Sequence, residues 1–335
     1  LVFAGDIMGH DTQIASALAT GSDGYDYHPC FQYLKPYLLN ADLVIGNLEV
    51  TFAGPPYKGY PQFSSPDELA DALKEAGFHI LVQANNHALD RKAEGLERTI
   101  GQLDQRGILH TGTFIDANER MFHYPMVVEK NGIRIALLNY TYGINGLKVQ
   151  PPTVVNRIDT ALIKLDLQKA ATAEPDFIIV TMHWGNEYQL TESSTQQNLA
   201  AFLFRHGADA IIGSHPHVVQ PVRGKGKGEL VVYSMGNLIS NQRNRYRNGG
   251  ILFELELVKD EQGTGISNHA YLPVWVYKAS MKKGTMFSLV PAAVDSVSTI
   301  AAGMLPEDLS TMRQFLQDTR TQLEDSREVV PDWLE

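Results

Sequence analysis

Cysteine is almost absent: Cys30 is the single one in 335 residues. That excludes an intrachain disulfide and a thiolate metal cluster, since each needs more than one sulfur. Long hydrophobic runs are missing as well; no apolar stretch approaches the ~20 residues of a membrane span. Positive charge is scarce, with 28 Lys and Arg against 38 Asp and Glu and a net charge of −10. General affinity for nucleic acid needs clustered Lys and Arg to displace counterions, so nucleic acid is not an expected partner. Small anions are not excluded, because a few metals or arginines reverse the field locally. There is no internal repeat, no low-complexity linker and no initiator Met. The opening LVFAGD already reads as the middle of a buried strand, so an upstream export signal or membrane anchor is expected in the native chain.

What is present is ordinary for a globular protein: 44% hydrophobic and 20% charged residues, with 28 Gly and 16 Pro. The length suits one large domain or two ordinary ones, at roughly 100–200 residues each. Short apolar runs alternate with helical patterns over the first two-thirds, which predicts βα units around a sheet. Strands are expected at 1–6, 42–47, 79–85, 177–183 and 209–215, and helices at 31–40, 65–78, 91–106, 159–173 and 193–207. Asn131-Gly132 between two β-rich runs is a hairpin signal. From Gly224 onward ELVVYSMGN, GGILFELELVKD and NHAYLPVWVYK read as strands of a second sheet, and a polar helix follows from about Pro306. The fold class expected is α/β, one layered αββα domain with mixed sheets. Residues 1–257 would form the catalytic part and 258–335 a strand and helix extension packed on it.

Chemistry gathers at five strand ends. Asp6 follows the first strand; Asn47 and Glu49 follow the second; Asn85, Asn86 and His87 follow the third. His183 ends FIIVTMH, and His215 and His217 end IIGSHPH. Carboxyl ends of strands line the ligand crevice in α/β sheets, so these groups can converge. Carboxylate, amide oxygen and imidazole together suit Mn, Zn or Fe. Taken singly, each has an ordinary reading: a turn Asp, an Asn-Asn turn, a satisfied buried His. GSHPH is harder to dismiss, because Pro216 interrupts both helix and strand between the two histidines. The coincidence of all five ends carries the functional reading.

Other groups lie nearby in sequence. Glu187 is four residues after His183 and is a candidate base, substrate acceptor or ligand-orienting group. Asp90 would either hold His87 or cap the helix near Arg91. Asn237 in YSMGN would hydrogen-bond in the cleft. Arg243, Arg245 and Arg247 are candidates for binding a carboxylate or phosphate, with a solvated loop as the plain alternative. Tyr25, Tyr27, Tyr57 and Tyr60 sit in Gly/Pro-rich loops that suit a binding rim.

The ordered set GDIM, GNLE, ANNH, HWGNEY, GSHPHVVQP and YSMGN resembles the bacterial capsule synthesis protein CapA family, the poly-γ-glutamate capsule family, over residues 1 to about 257. That family is related to the calcineurin-like metallophosphatases. The resemblance implies a metallophosphatase-like four-layer αββα sandwich with one or two divalent metal ions. It makes Asp6, Glu49, Asn86, His183, His215 and His217 the metal ligands and His87 the general acid. Asp6, Glu49 and His217 would form site one; Glu49, Asn86, His183 and His215 would form site two. Asn47, Asn85, Asn237 and Arg243 are expected on the substrate side, and Glu187 and Asp90 beside the chemistry. Two departures stand out. Met8 occupies the place of an expected histidine ligand, for which His10 is a candidate replacement, and the bridging carboxylate is Glu rather than Asp.

The function expected is a hydrolase of the cell envelope, outside the cytoplasmic membrane. A metal-activated water would attack a phosphoester or a glutamyl amide, of a small molecule or a polymer. The alternative is a non-catalytic scaffold that binds polymer, or membrane proteins of capsule synthesis and export.

Overall fold

The computed structural model describes residues 1–20, 24–225, 228–281, 284–293, 300, 303–323 and 326–330. In chain order the strands are β1 (Val2–Ile7), β2 (Val44–Leu48), β3 (Ile80–Val82), β4 (Leu109–Thr111), β5 (Thr113–Phe114), β6 (Met126–Lys130), β7 (Ile133–Thr141), β8 (Val154–Val155) and β9 (Phe177–His183). They continue as β10 (Ala210–Ser214), β11 (Val222–Lys225), β12 (Gly228–Val232), β13 (Asn237–Ile239), β14 (Gly249–Asp260), β15 (Gly263–Ser280), β16 (Thr285–Pro291) and β17 (Arg327–Glu328). The helices are α1 (Asp11–Thr20), α2 (His28–Phe31), α3 (Lys35–Leu39), α4 (Glu68–Ala76), α5 (Lys92–Gln105), α6 (Ala117–His123), α7 (Thr160–Thr172), α8 (Ser194–Arg205) and α9 (Pro306–Gln322).

Two sheets carry the molecule. The larger runs β16-β15-β14-β1-β2-β3-β4, with β13 against β1 and β17 against β15; the smaller runs β11-β12-β10-β9-β7-β6. Side chains alternate faces along a strand, and here both faces are buried, which is why FIIVTMH is apolar throughout. Phe3, Ile45 and Val82 of the larger sheet meet Leu137, Ile179 and Ile212 of the smaller in the inter-sheet core. Their neighbours face outward: Ala4 and Leu48 pack on Leu38, Leu69 and Leu73 of α3 and α4. Leu138, Val180 and Ile211 pack on Ile163, Leu167, Leu199 and Leu203 of α7 and α8. The result is a four-layer αββα sandwich with mixed sheets. No helix among the described residues is long and apolar enough to cross a membrane.

The structure departs from the sequence reading in several places. The helix expected over 31–40 is two short ones, α2 and α3, each with a proline in its first turn; Pro36 has no N–H to carry one helix through. ELVVYSMGN is not one strand. β12 stays in the smaller sheet beside β10, whereas β13 crosses to pair with β1, and Gly236 at φ 71° lies at the crossing. The late strands do not build the second sheet: β14 pairs antiparallel with β1, Val2 opposite Glu254, and β15 and β16 extend the same sheet. β14 itself runs past 257 to Asp260 and turns directly into β15. Helix α1, absent from the sequence reading, follows Asp6 closely. The expected tail helix ends at Gln322; its residues 324 and 325 lie outside the described residues.

Candidate metal centre

Parallel pairing brings the strand ends to one edge. Asp6 on β1 is in register with Asn47 on β2 and with Asn237 on β13. In the other sheet His183 on β9 is in register with Ser214 on β10 and with Thr141 on β7. Glu49 follows β2, the Asn85–His87 turn follows β3, and His215 and His217 follow β10. Both histidines have left-handed backbones, φ 100° and 58°, around Pro216. Such strain in non-glycine residues is characteristic of functional turns.

Glu49 lies at the centre. It belongs to two groups whose ligand atoms all lie within 4.8 Å of one another, Asp6–Glu49–His183 and Glu49–His215–His217. The expected division put His217 with Asp6 and His183 with His215; in these groups His183 and His217 change places, although His217 Nδ1 still approaches Asp6 Oδ2 at 2.9 Å. Asn86 Oδ1 meets His183 Nε2 at 2.7 Å, and Glu49 Oε1 is 3.6 Å from that nitrogen.

The donor set fits a cation. Both Glu49 oxygens and His215 Nδ1 are buried without a hydrogen-bond partner. A buried carboxylate without donors is costly unless a positive charge compensates it. Burial first, and then Asp6, raises the Glu49 carboxyl well above its ordinary 4.5. Burial, with His215, His217 and His87 adding to it, holds His183 well below 6.5. His215 is pushed down to about 3, by burial first and His217 next. The two rings are therefore neutral near pH 7, the form in which imidazole ligates a metal.

The residues around this cluster divide clearly. Asp90 accepts from His87 Nδ1 and from the Phe63 N–H, both at 2.7 Å. It holds the His87 ring and does not cap α5, whose N-cap residue is Arg91, without a side-chain capping bond. The amides placed on the substrate side are engaged within the protein. Asn47 Nδ2 donates to Asp6 Oδ1 at 2.8 Å and meets His183 Nδ1 at 3.2 Å. Asn85 donates to the Leu48 carbonyl and accepts from the His87 N–H. Asn237 Oδ1 meets His217 Nδ1 at 3.0 Å while its Nδ2 reaches Gln242 and the Arg247 carbonyl. Asn47 and Asn237 thus hold candidate ligands, and Asn85 holds the turn that carries His87. Arg243 donates to the Val276 carbonyl of β15 beside Trp275, not to the cluster.

Met8 is buried in the helix-side core and offers nothing to the site. His10 turns Nδ1 to Gln13 and the Asn241 N–H, and stands edge-on to Phe63, outside both ligand groups. Of the four loop tyrosines, Tyr60 is exposed near His87, Tyr27 is buried, and Tyr25 and Tyr57 pack on each other. Glu187 is exposed at the rim, close enough to act on Glu49.

Two contributors were missed. Tyr142 covers His215 at 4.4 Å and His183 at 6.2 Å between ring centroids. Asn145 Oδ1 accepts from Asn86 Nδ2 at 3.2 Å. Both follow β7, whose NYTYGIN terminus is one more parallel strand end.

These motifs have counterparts in known proteins. The family model described as Bacterial capsule synthesis protein PGA_cap matches residues 1–242. The chain belongs to that family. Within PGA_cap's range of relatives, it is 32% identical over 257 residues to the capsule biosynthesis protein CapA of Bacillus anthracis, covering 72% of this chain and 60% of that protein. It is 30% identical over 274 residues to the PGA biosynthesis protein CapA of Bacillus subtilis, covering 76% of this chain and 69% of that one. The chain thus spans 60% and 69% of the lengths of these two relatives. A solved Staphylococcus aureus structure assigned as a 5′-nucleotidase superposes with TM-score 0.51 at 14% identity, covering 95% of this chain and 58% of that one. At that identity the likeness concerns the fold.

Proposed function

We propose that this chain is a metal-dependent hydrolase of capsule polymer synthesis in the cell envelope, acting on a phosphoester or a glutamyl amide. The observation that carries the reading is Glu49, wholly buried, without a donor, and common to two ligand groups. Asp6, Glu49, Asn86, His183, His215 and His217 would hold one or two Mn, Zn or Fe ions. When bound, such an ion supplies Lewis acidity and makes water nucleophilic near neutral pH.

The chain's own residues supply the rest. Asp90 holds the Nδ1 proton of His87 and balances the charge of a doubly protonated ring, so that Nε2 would hand its own proton to the departing oxygen or nitrogen and leave the Nδ1–H imidazole behind. The ring stands edge-on to Phe63 at 4.7 Å, which keeps it from turning away. Asn47 fixes Asp6 and His183 together, and Asn237 fixes His217. Glu187 at the rim is the residue placed to meet a substrate amine or orient a ligand.

The test is elemental analysis of the purified protein, then hydrolysis assays on phosphoesters and poly-γ-glutamate with wild type and His87→Ala. The variant should keep its metal and lose roughly 10²–10⁴-fold of rate, the usual worth of general acid catalysis. A second reading, a polymer-binding scaffold, is favoured by Met8, which lies in the core where a histidine ligand is expected. Capsule formation untouched by both His87→Ala and His215→Ala in folded protein would replace the hydrolase with the scaffold.

A further inference from the structure

Arg247 differs from the arginines that form ion pairs. Arg98, Arg106, Arg120, Arg223, Arg245 and Arg320 are each paired with a carboxylate. No carboxylate among the described residues lies within 4.0 Å of the Arg247 guanidinium, and no side-chain hydrogen bond occupies its donors. It is nevertheless held in place. Its Cζ lies 3.4 Å from the Tyr188 ring centroid, and that ring lies 6.2 Å from His217. Its carbonyl accepts from Asn237 Nδ2 at 2.8 Å, and Asn237 Oδ1 meets His217 Nδ1 at 3.0 Å. Its N–H donates to the Asn244 carbonyl at 3.0 Å. Side chain and backbone thus tie a flat, half-buried cation to the same ligand histidine by separate routes.

A guanidinium offers five N–H donors in a rigid fork that matches two oxygens of a carboxylate or phosphate. Glu187, the acidic group of the same loop as Tyr188, is not within 4.0 Å of the guanidinium. The geometry points to Arg247 as the residue that selects an anionic substrate, its fork taking a carboxylate or phosphate carried beside the scissile bond. Tyr188 is the plate that keeps the fork flat. The scissile bond rests on the hydrolase reading; the anion site does not.

Calorimetry separates the two on the full chain, metal-free and manganese-loaded. The probes are γ-glutamyl-glutamate, its neutral amide analogue and inorganic phosphate, with wild type, Arg247→Met and Arg247→Lys. Wild type should prefer an anionic probe to the neutral one. Arg247→Met should bind that anion about 10- to 100-fold more weakly, the worth of a charged hydrogen-bonded pair, with manganese stoichiometry and neutral-probe affinity unchanged. Arg247→Lys keeps charge but not the fork and should fall between; it carries the test if the Met variant does not fold. An effect confined to phosphate, or to the dipeptide, identifies the anion. Equal anion affinities in all three proteins, or no preference by wild type, overturns the proposal. Arg247-dependent binding without hydrolysis of any phosphoester or glutamyl amide leaves the anion site standing and removes the hydrolase reading.

Discussion

Glu49 shows how a single side chain can work against the fold that contains it. Its carboxylate is buried with neither oxygen bonded to a donor, which costs free energy in the metal-free protein. Glu49→Gln should therefore raise the metal-free melting temperature while abolishing tight metal binding; a lower melting temperature would show that Glu49 is a structural group. The pH dependence follows from the same burial. The unfolded Glu49 loses its proton near 4.5 and the folded one keeps it to higher pH, so stability falls as pH rises above 4.5. That contribution should vanish in Glu49→Gln. His183 and His215 act in the opposite sense: both are depressed below 6.5 when folded, so the unfolded chain takes up protons first and stability falls as pH drops below 6.5. Thermal melts of both proteins without metal across this range measure both slopes. The residues of the candidate site were legible as residue types, because carboxylate, amide and imidazole at strand ends are unusual together. The difference between a ligand and its supporter was not legible. Asn47, Asn85 and Asn237 look like substrate groups in sequence, and only the folded register shows their amides already occupied.

The elements that carry the site were legible where strands are apolar on both faces and end in polar groups, as β1, β2, β9 and β10 do. The end of β7 escaped notice because a hairpin signal drew attention to its beginning, leaving Tyr142 and Asn145 unread. The sheet switch between β12 and β13 escaped for a different reason: consecutive β-favouring residues do not say which sheet they join. Close approach decides it. A Cβ on Gly5 would lie 2.0 Å from the Gly236 carbonyl oxygen, so β13 can enter beside β1 only past a residue with no side chain. Gly5→Ala should push β13 from β1 and displace Asn237 from its register with Asp6. We expect a loss of about 1–3 kcal/mol, typical of overpacking, together with weaker metal binding, read by denaturant unfolding and metal titration. Wild-type values in both would mean that β13 is held by other contacts.

At the scale of the whole molecule, the candidate ligands come from both sheets. Asp6, Glu49 and Asn86 lie in or just after strands of the larger sheet, and His183, His215 and His217 in or just after those of the smaller. A bound ion would therefore clamp the two sheets at one edge. The rest of their interface does not depend on it, because an aliphatic and aromatic core from Phe3 to Ile212 joins the sheets independently. These two facts predict a partial response to chelation. Binding to the folded state alone adds about 2.7 kcal/mol when the free ion is a hundred times its Kd, so chelation should lower the melting temperature without unfolding the chain. Hydrogen exchange should locate the change. Amides after β3, β9 and β10 should lose protection, while those in the middle of β7 and β9, at Leu137 and Ile179 within the inter-sheet core, should keep it. Global unfolding on chelation would make the ion part of the core. An exchange pattern indifferent to chelation would mean that no ion joins the two sheets.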